Sequence, residues 1–453
     1  MGPQPMHEIL VAYDGPDVDR VCSMHGISRE RLVAMHSGPE YLVEVIGFLP
    51  GFGYLTGLPP GLATPRLDTP RRRVPAGSVG IGGSRTGVYP FASPGGWNLI
   101  GRTNTVLFDV SRPQPALLQT GDRVRFVPSE LPPTEPPKEA RPARATGTAG
   151  ITVLEPGLFT TVQDLGRPGY RSSGVPLSGA VDPVAMRLAN LVVGNPEDTA
   201  GLECTLVGPT LRFDRDAVVA MVGGAFPGLP MGVATHVAAG TVVALGHATH
   251  GCRGYLAIAG GIAVEPVLGS RSTLLTAAFG GFQGRSLAKG DLLPIGKPDR
   301  PPSRNGALAL IRRLTTPERP CVLRVVPGAD AHKFDQASWA RTYRASSRSD
   351  RMGLRLDGEP LCVTAGMGGM VSIPVAPGTV QVPPDGLPII LLADAQTFGG
   401  YPVLGQVIEA DLPKAARMRP GDEIHFQPVT LDEADAARRD LEATLAAVRE
   451  SIR

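Results

Sequence analysis

Val380-Gln-Val-Pro-Pro-Asp385-Gly-Leu-Pro-Ile-Ile-Leu-Leu-Ala-Asp394-Ala-Gln396-Thr397-Phe-Gly-Gly-Tyr401-Pro402 is the stretch on which the reading of this chain turns. Its middle, 388–393, is a short apolar run behind Pro and Gly. A run that short is expected to be a buried strand rather than a helix. The strand empties into Asp394, Gln396 and Thr397, and two glycines and Tyr401 follow. Polar side chains at the end of a rigid strand are a common way of presenting chemistry. An ordinary polar turn is the plain alternative.

Working outward, parts of this stretch recur some three hundred residues earlier. Residues 76–81 resemble 377–382, and 121–126 resemble 421–426. Ser84 to Pro90, which holds Thr86 and Tyr89, is read as an echo of 395–402. Similar words in the same order predict a duplicated unit with two related site walls.

Composition sets the outer bounds. A chain of 453 residues suffices for about two to four domains. Apolar residues make up 42% and charged residues 19%, which fits packed cores and excludes a disordered tail. The net charge of +2 gives no basic surplus, so no nucleic-acid partner is expected. The 57 glycines and 46 prolines lie among apolar runs, which predicts many turns between short strands. Five cysteines, at 22, 204, 252, 321 and 362, form no CxxC pair, so neither a disulfide framework nor a metal site is expected. Cys362 sits in an apolar run and is expected to be buried. No membrane span or signal sequence is read, and the default expectation is a cytoplasmic protein.

Local signals place the other elements. Residues 7–13 alternate as a strand, and helices are expected at 18–24 and from Ser28 to His36, with Ser28 as N-cap. His25 and His36 are expected at the surface or as caps. Gly80-Ile-Gly-Gly-Ser84 is a weak phosphate-loop candidate. Proline-rich 128–149 reads as a linker. Beyond it, Asp164 and Arg167 share a glycine turn, and Asp182-Pro183 opens a helix. The run 204–300 reads as all β, and 334–343 as a helix. Asp350 and Arg351 stand in a charged turn, and Thr430 to Glu433 is a capping box before a C-terminal helix striped by Leu441, Leu445, Val448 and Ile452. The chain carries no nucleophile elbow, zinc motif or dinucleotide fingerprint. Asp, Arg, Gln, Thr and Tyr at glycine turns suit holding an amide, carboxylate or carbonyl compound.

At this point the residues resemble a family. PGFGYLTGL, PRRRVPAGSV, TGVYP and SPGGWNLIGRT, within 41–103, look like the B-type component of 5-oxoprolinase. TTVQDLGRPGYRSSGVPLSGAVD, LANLVVGNPEDTA, SDRMGLRL and the opening stretch, within 151–428, look like its C-type component, and the two parts together resemble the carboxyltransferase domain of urea amidolyase. The resemblance implies a mainly β fold with some α, built of tandem cyclophilin-like β-barrel domains. It divides the chain into a B-type domain at 1–127, the linker at 128–149, and two C-type halves at 150–300 and 301–453. In the B-type pattern a further α/β domain precedes the first of these, and this chain is expected to lack it. Arg85 stands where that pattern usually has Gln, and Ala395 and Phe398 where the C-type pattern usually has Arg and Thr.

The implied activity is ATP-dependent opening of 5-oxoproline to glutamate together with a separate A-type 5-oxoprolinase protein, with ATP at a site the motifs do not specify. On this reading Asp394, Gln396, Thr397 and Tyr401 lie near the reacting group. Asp350 and Arg351 bind the substrate carboxylate, Asp164, Arg167 and Asp182 shape the facing wall, and Thr86 and Tyr89 support it. Two alternatives accompany it. One is a carboxyltransferase that takes CO2 from biotin on a partner chain. The other is a non-catalytic kinase-regulating binding protein. A homo-oligomer is compatible with all three.

Overall fold

A computed structural model of the chain describes residues 5–130, 149–302, 307–316, 318–362 and 372–452. The expected linker falls almost wholly outside them. The chain forms two compact units. Among the described residues, the first is made of 5–130 with the segments 168–176 and 396–398, and the second of the rest.

The first unit is built on seven strands: Met6–Val11 (β1), Tyr41–Ile46 (β2), Gly53–Thr56 (β3), Ser78–Gly82 (β4), Arg85–Val88 (β5), Asn98–Arg102 (β6) and Arg123–Pro128 (β7). Their order is β1-β7-β2-β3-β5-β4-β6, with β1 and β7 parallel. Ala12 and Arg102 exchange two backbone hydrogen bonds of 2.9 Å, which join β1 to β6 and close the ring. Helices Val18–His25 (α1) and Arg29–Ser37 (α2) form as expected, and the Ser28 hydroxyl accepts from the Arg31 amide. Burying α1 against β6 and α2 against β7 leaves His36 wholly buried, not at the surface.

The second unit has two halves. In the first, Ala149–Glu155 (β8), Phe159–Gln163 (β9), Gly201–Thr205 (β10), Thr210–Phe213 (β11), Ala217–Ala225 (β12), Thr235–Val237 (β13), Val242–Ala244 (β14), His250–Ile258 (β15) and Leu292–Pro294 (β16) make two sheets. Their orders are β14-β11-β8-β16 and β9-β10-β15-β12-β13. Strand alternation turns Leu202, Cys204, Met221 and Leu256 inward to meet Ile151, Leu211 and Phe213 in one core. The outward residues Val222, Tyr255 and Ala257 are also apolar or aromatic. They are covered by Pro183–Val192 (α3), Leu308–Thr315 (α4) and the C-terminal helix.

The second half is a closed barrel of Cys321–Pro327 (β17), Thr342–Ala345 (β18), Gly353–Asp357 (β19), Thr379–Gln381 (β20), Ile389–Leu391 (β21), Val403–Val407 (β22) and Glu423–Pro428 (β23). The expected helix over 334–343 is a single 3-10 turn, Gln336–Ala340, followed by β18. Tyr343 and Ala345 alternate inward there, which a strand satisfies and a helix does not. Leu412–Arg417 (α5) and Leu431–Ile452 (α6) complete the unit. Thr430 and Glu433 form the reciprocal bonds of a capping box, and Leu445 and Val448 bury against α3. Cys362 is exposed, not buried; Leu361 and Cys362 lie outside any strand.

The duplication is present in the backbone. The barrel order β17-β23-β18-β19-β21-β20-β22 repeats that of β1 to β7, including the parallel pairing of first and last strands. Gly77 and Gly378 both have positive φ, and their amides donate to Tyr89 O and Leu391 O at 2.7 Å. Gly121 and Gly421 likewise donate to Val43 O and Ala345 O at 2.8 Å. Tyr89 is therefore the counterpart of Leu391, not of Tyr401. The supposed echo between 84–90 and 395–402 is a chance likeness, and the two stretches are not paired site walls. The architecture is mainly β with some α, in tandem barrels.

Candidate functional site

The sequence-predicted residues fall into two groups. Thr86, Tyr89, Gln396 and Thr397 belong to the first unit, and the others to the second.

In the first unit, the Thr86 hydroxyl donates to Gly80 O (3.0 Å) and lies 2.8 Å from His36 Nε2. Its one proton is thereby used, so His36 carries its hydrogen on Nε2 and accepts at Nδ1 from the Tyr13 hydroxyl at 2.8 Å. Burial pushes the His36 pKa down to about 3, so the ring is neutral. Tyr89 is buried among Phe48, Phe52 and Trp97, and burial pushes its hydroxyl up to about 12. Arg85 pairs with Glu44 at 2.7 Å. Thr397 is fully buried, and its hydroxyl has no hydrogen-bond partner. The phosphate-loop candidate 80–84 is β4 with its turn. The strand pairs with β5 and β6, and the Gly83 amide donates to Thr64 O at 2.8 Å. A phosphate cradle needs free amides, and this loop does not offer them.

The second unit holds a buried charged cluster between its halves. Asp394 stands in the turn after β21, and Arg351 just before β19. The Arg351 guanidinium donates to Asp394 twice (2.8 and 3.0 Å), to Glu203 Oε1 (2.5 Å) and to Gly179 O (2.7 Å). Glu203, on β10, also accepts from the Tyr255 hydroxyl and the Val181 amide, both at 2.9 Å. Burial acts to raise the Glu203 pKa, but the Arg351 and Arg253 guanidiniums and these hydrogen bonds outweigh it and leave it lowered. The same carboxylates hold Arg351 well above the usual arginine range.

Asp182 caps α3 through the Ala185 amide (2.9 Å) and accepts from Arg417 Nε (2.6 Å). Arg253 donates to Ala416 O at 2.7 Å and to Asp350 O at 3.3 Å. The Asp350 carboxylate caps its own turn at the Met352 and Gly353 amides. Asp164 accepts from the hydroxyls of Ser270 and Ser272 and the amides of Gly166 and Arg271. Tyr401, by contrast, is 44% exposed.

Glu203, Tyr255, Arg253 and Arg417 were not expected at the site. The available signal was Glu203 itself, a carboxylate in a strand covered on both faces, which needs buried cations. Among the described residues no group of three His, Cys, Asp or Glu could hold a metal ion, and no helix is long and apolar enough to cross a membrane. A cavity of about 590 Å³ lined by Arg215, His236 and Arg300 contains none of the cluster.

Residues 173–428 match the family model described as carboxyltransferase domain, subdomain A and B, and residues 2–118 match subdomain C and D. The chain belongs to the carboxyltransferase-domain family. It is 41% identical to the C-type component of 5-oxoprolinase from Escherichia coli (strain K12) over 300 residues, 64% of this chain and 94% of that protein. It is 56% identical to the B-type component of 5-oxoprolinase from Haemophilus influenzae over 123 residues, 26% of this chain and 58% of that one. Urea amidolyase of Saccharomyces cerevisiae is 31% identical over 65% of this chain and 17% of its own length. The solved structure of TTHA0988 superposes with a TM-score of 0.81 at 38% identity, covering 93% of this chain and 86% of that one.

Proposed function

We propose that this chain is a component of an ATP-dependent 5-oxoprolinase that opens 5-oxo-L-proline to L-glutamate with a separate A-type protein of the same enzyme. The observation that carries it is that one polypeptide holds a region similar to a C-type component along 94% of that relative and a second region similar to a B-type component. In the reaction, water adds to the ring carbonyl, the ring C–N bond breaks, and the nitrogen leaves as an amine after taking a proton. ATP is the co-substrate that activates the carbonyl. The Gly80–Ser84 loop does not fit it, and no role in holding it is assigned to this chain.

Within the proposal, Gln396 and Thr397 donate hydrogen bonds where negative charge develops on the carbonyl oxygen. Tyr401 supplies a further, exposed hydroxyl. Asp394 is held by Arg351 and fixes the start of the turn that carries Gln396 and Thr397. Arg351 is thereby a positioning residue, since its hydrogen bonds end inside the protein. Asp350, Asp164 and Asp182 hold their own turns.

Mixing the chain with an A-type 5-oxoprolinase protein, 5-oxo-L-proline and ATP tests this. Glutamate and phosphate should appear together, and their absence with every such partner would remove the reading. The second reading is a carboxyltransferase acting with a biotin-bearing partner, favoured by the family models and the urea amidolyase likeness. Recovery of a biotinylated protein in a stable complex with this chain, without glutamate formation, would select it.

A further inference from the structure

Arg167 heads the largest fully buried side chains of the described residues, yet it is poorly paired. Its Nη2 donates to Ser272 O, and its guanidinium lies 5.0 Å from the centre of the Phe279 ring. Its Nε and Nη1 have no hydrogen-bond partner. Arg351, buried nearby, makes four hydrogen bonds, two of them to one carboxylate. Burial pushes Arg167 down to about 10, against the pull of Asp164 and Asp394. Both of those acids are committed elsewhere, Asp164 to two hydroxyls and two amides and Asp394 to Arg351. A buried guanidinium without a carboxylate is costly, and its planar fork matches a carboxylate that the protein itself does not supply.

A second observation concerns the segment over it. Ala278, Gly280, Gly281, Gln283 and Gly284 all have positive φ, two of them without the freedom of glycine. A Cβ at Gly280 would lie 2.8 Å from Arg167 Nη2, so only a bare backbone fits against the guanidinium. The neighbouring loop holds Ser178, also at positive φ, with a buried hydroxyl lacking a partner. The Leu177 carbonyl just before it accepts from the Arg167 amide at 2.8 Å.

We infer that Arg167 is a reserved anion anchor, taking the planar carboxylate of a small-molecule substrate when the strained turn 278–284 shifts off it. That the carboxylate is the one on 5-oxoproline rests on the function proposed above; the anion site itself does not.

The test is thermal unfolding and titration calorimetry on the full chain, with 5-oxo-L-proline, its uncharged methyl ester, acetate and bicarbonate as probes. The wild type should be stabilised by at least one of the three anions and not by the ester. Arg167→Met should keep or raise the ligand-free Tm, because it removes an uncompensated buried charge, and it should lose the anion response. Arg167→Lys keeps the charge without the fork and should weaken anion binding at least tenfold. It decides the matter if the Met variant does not fold. No response to any anion in the wild type, or an undiminished response in the variants, overturns the inference. Acetate or bicarbonate binding that depends on Arg167, with no response to 5-oxoproline, keeps the anchor and removes the 5-oxoprolinase reading. Glutamate formation with an unchanged KM in Arg167→Lys does the reverse.

Discussion

Arg351 grips Asp394 through two nitrogens, at 2.8 and 3.0 Å, and with a third holds Glu203 on the other half of the same unit. A single guanidinium thus ties the turn after β21 to strand β10. Arg351→Ala strands two buried carboxylates. Breaking such a pair should destabilise the second unit by about 3–5 kcal/mol, seen as a lower denaturant midpoint. A variant that unfolds like the wild type while its KM rises would return Arg351 to direct substrate binding.

Acid should weaken the first unit through His36. Its folded pKa of about 3 lies below the ordinary 6.5, so the unfolded chain binds a proton that the folded chain refuses. Stability is then fully present above about 6.5 and falls as pH drops toward 3, by up to ~1.4 kcal/mol per pH unit. His36→Gln should flatten that slope by one proton in urea titrations at several pH values. An unchanged slope means that His36 is not the titrating group.

Gln396 and Tyr401 separate chemistry from folding. Tyr401→Phe removes a hydroxyl from a half-exposed side chain and should leave stability within ~0.5 kcal/mol. Under the proposed reaction, kcat should fall at least tenfold in Gln396→Ala and less in Tyr401→Phe. Steady-state glutamate formation is the measurement, and full activity in both variants would move the reacting group elsewhere.

The C-terminal helix is a structural clamp. Leu445 on α6 is wholly buried against α3, while Arg187 and Arg449 hold Glu197 and Glu442 beside it. Leu445→Ala should cost about 2–5 kcal/mol from lost burial and the cavity left behind. Thr430→Ala, which removes only the cap, should cost about 1 kcal/mol. Equal losses in chemical denaturation would mean that helix formation, not packing, is limiting.

Local chemistry made much of the fold readable. Ser28, Asp182-Pro183 and Thr430 marked helix starts because caps work over three or four residues. Two of the three internal echoes were true, since Gly77 and Gly378, and Gly121 and Gly421, meet the same backbone demands. The third paired Tyr89 with Tyr401, about a dozen positions out of step with the others, and that mismatch was visible in the numbering. The buried charged cluster was readable only in part, through Asp182, Arg351 and Asp394. Glu203, Arg253, Arg351 and Arg417 meet only after two sheets and a barrel have formed, and no spacing in the sequence records that.

Each ring closes by laying its last strand parallel to its first: Arg123 opposite Met6, and Ile424 opposite Cys321. During synthesis neither barrel can seal until its final strand has left the ribosome. The earlier strands must wait with an open seam, a topology that favours slow, late-committing folding.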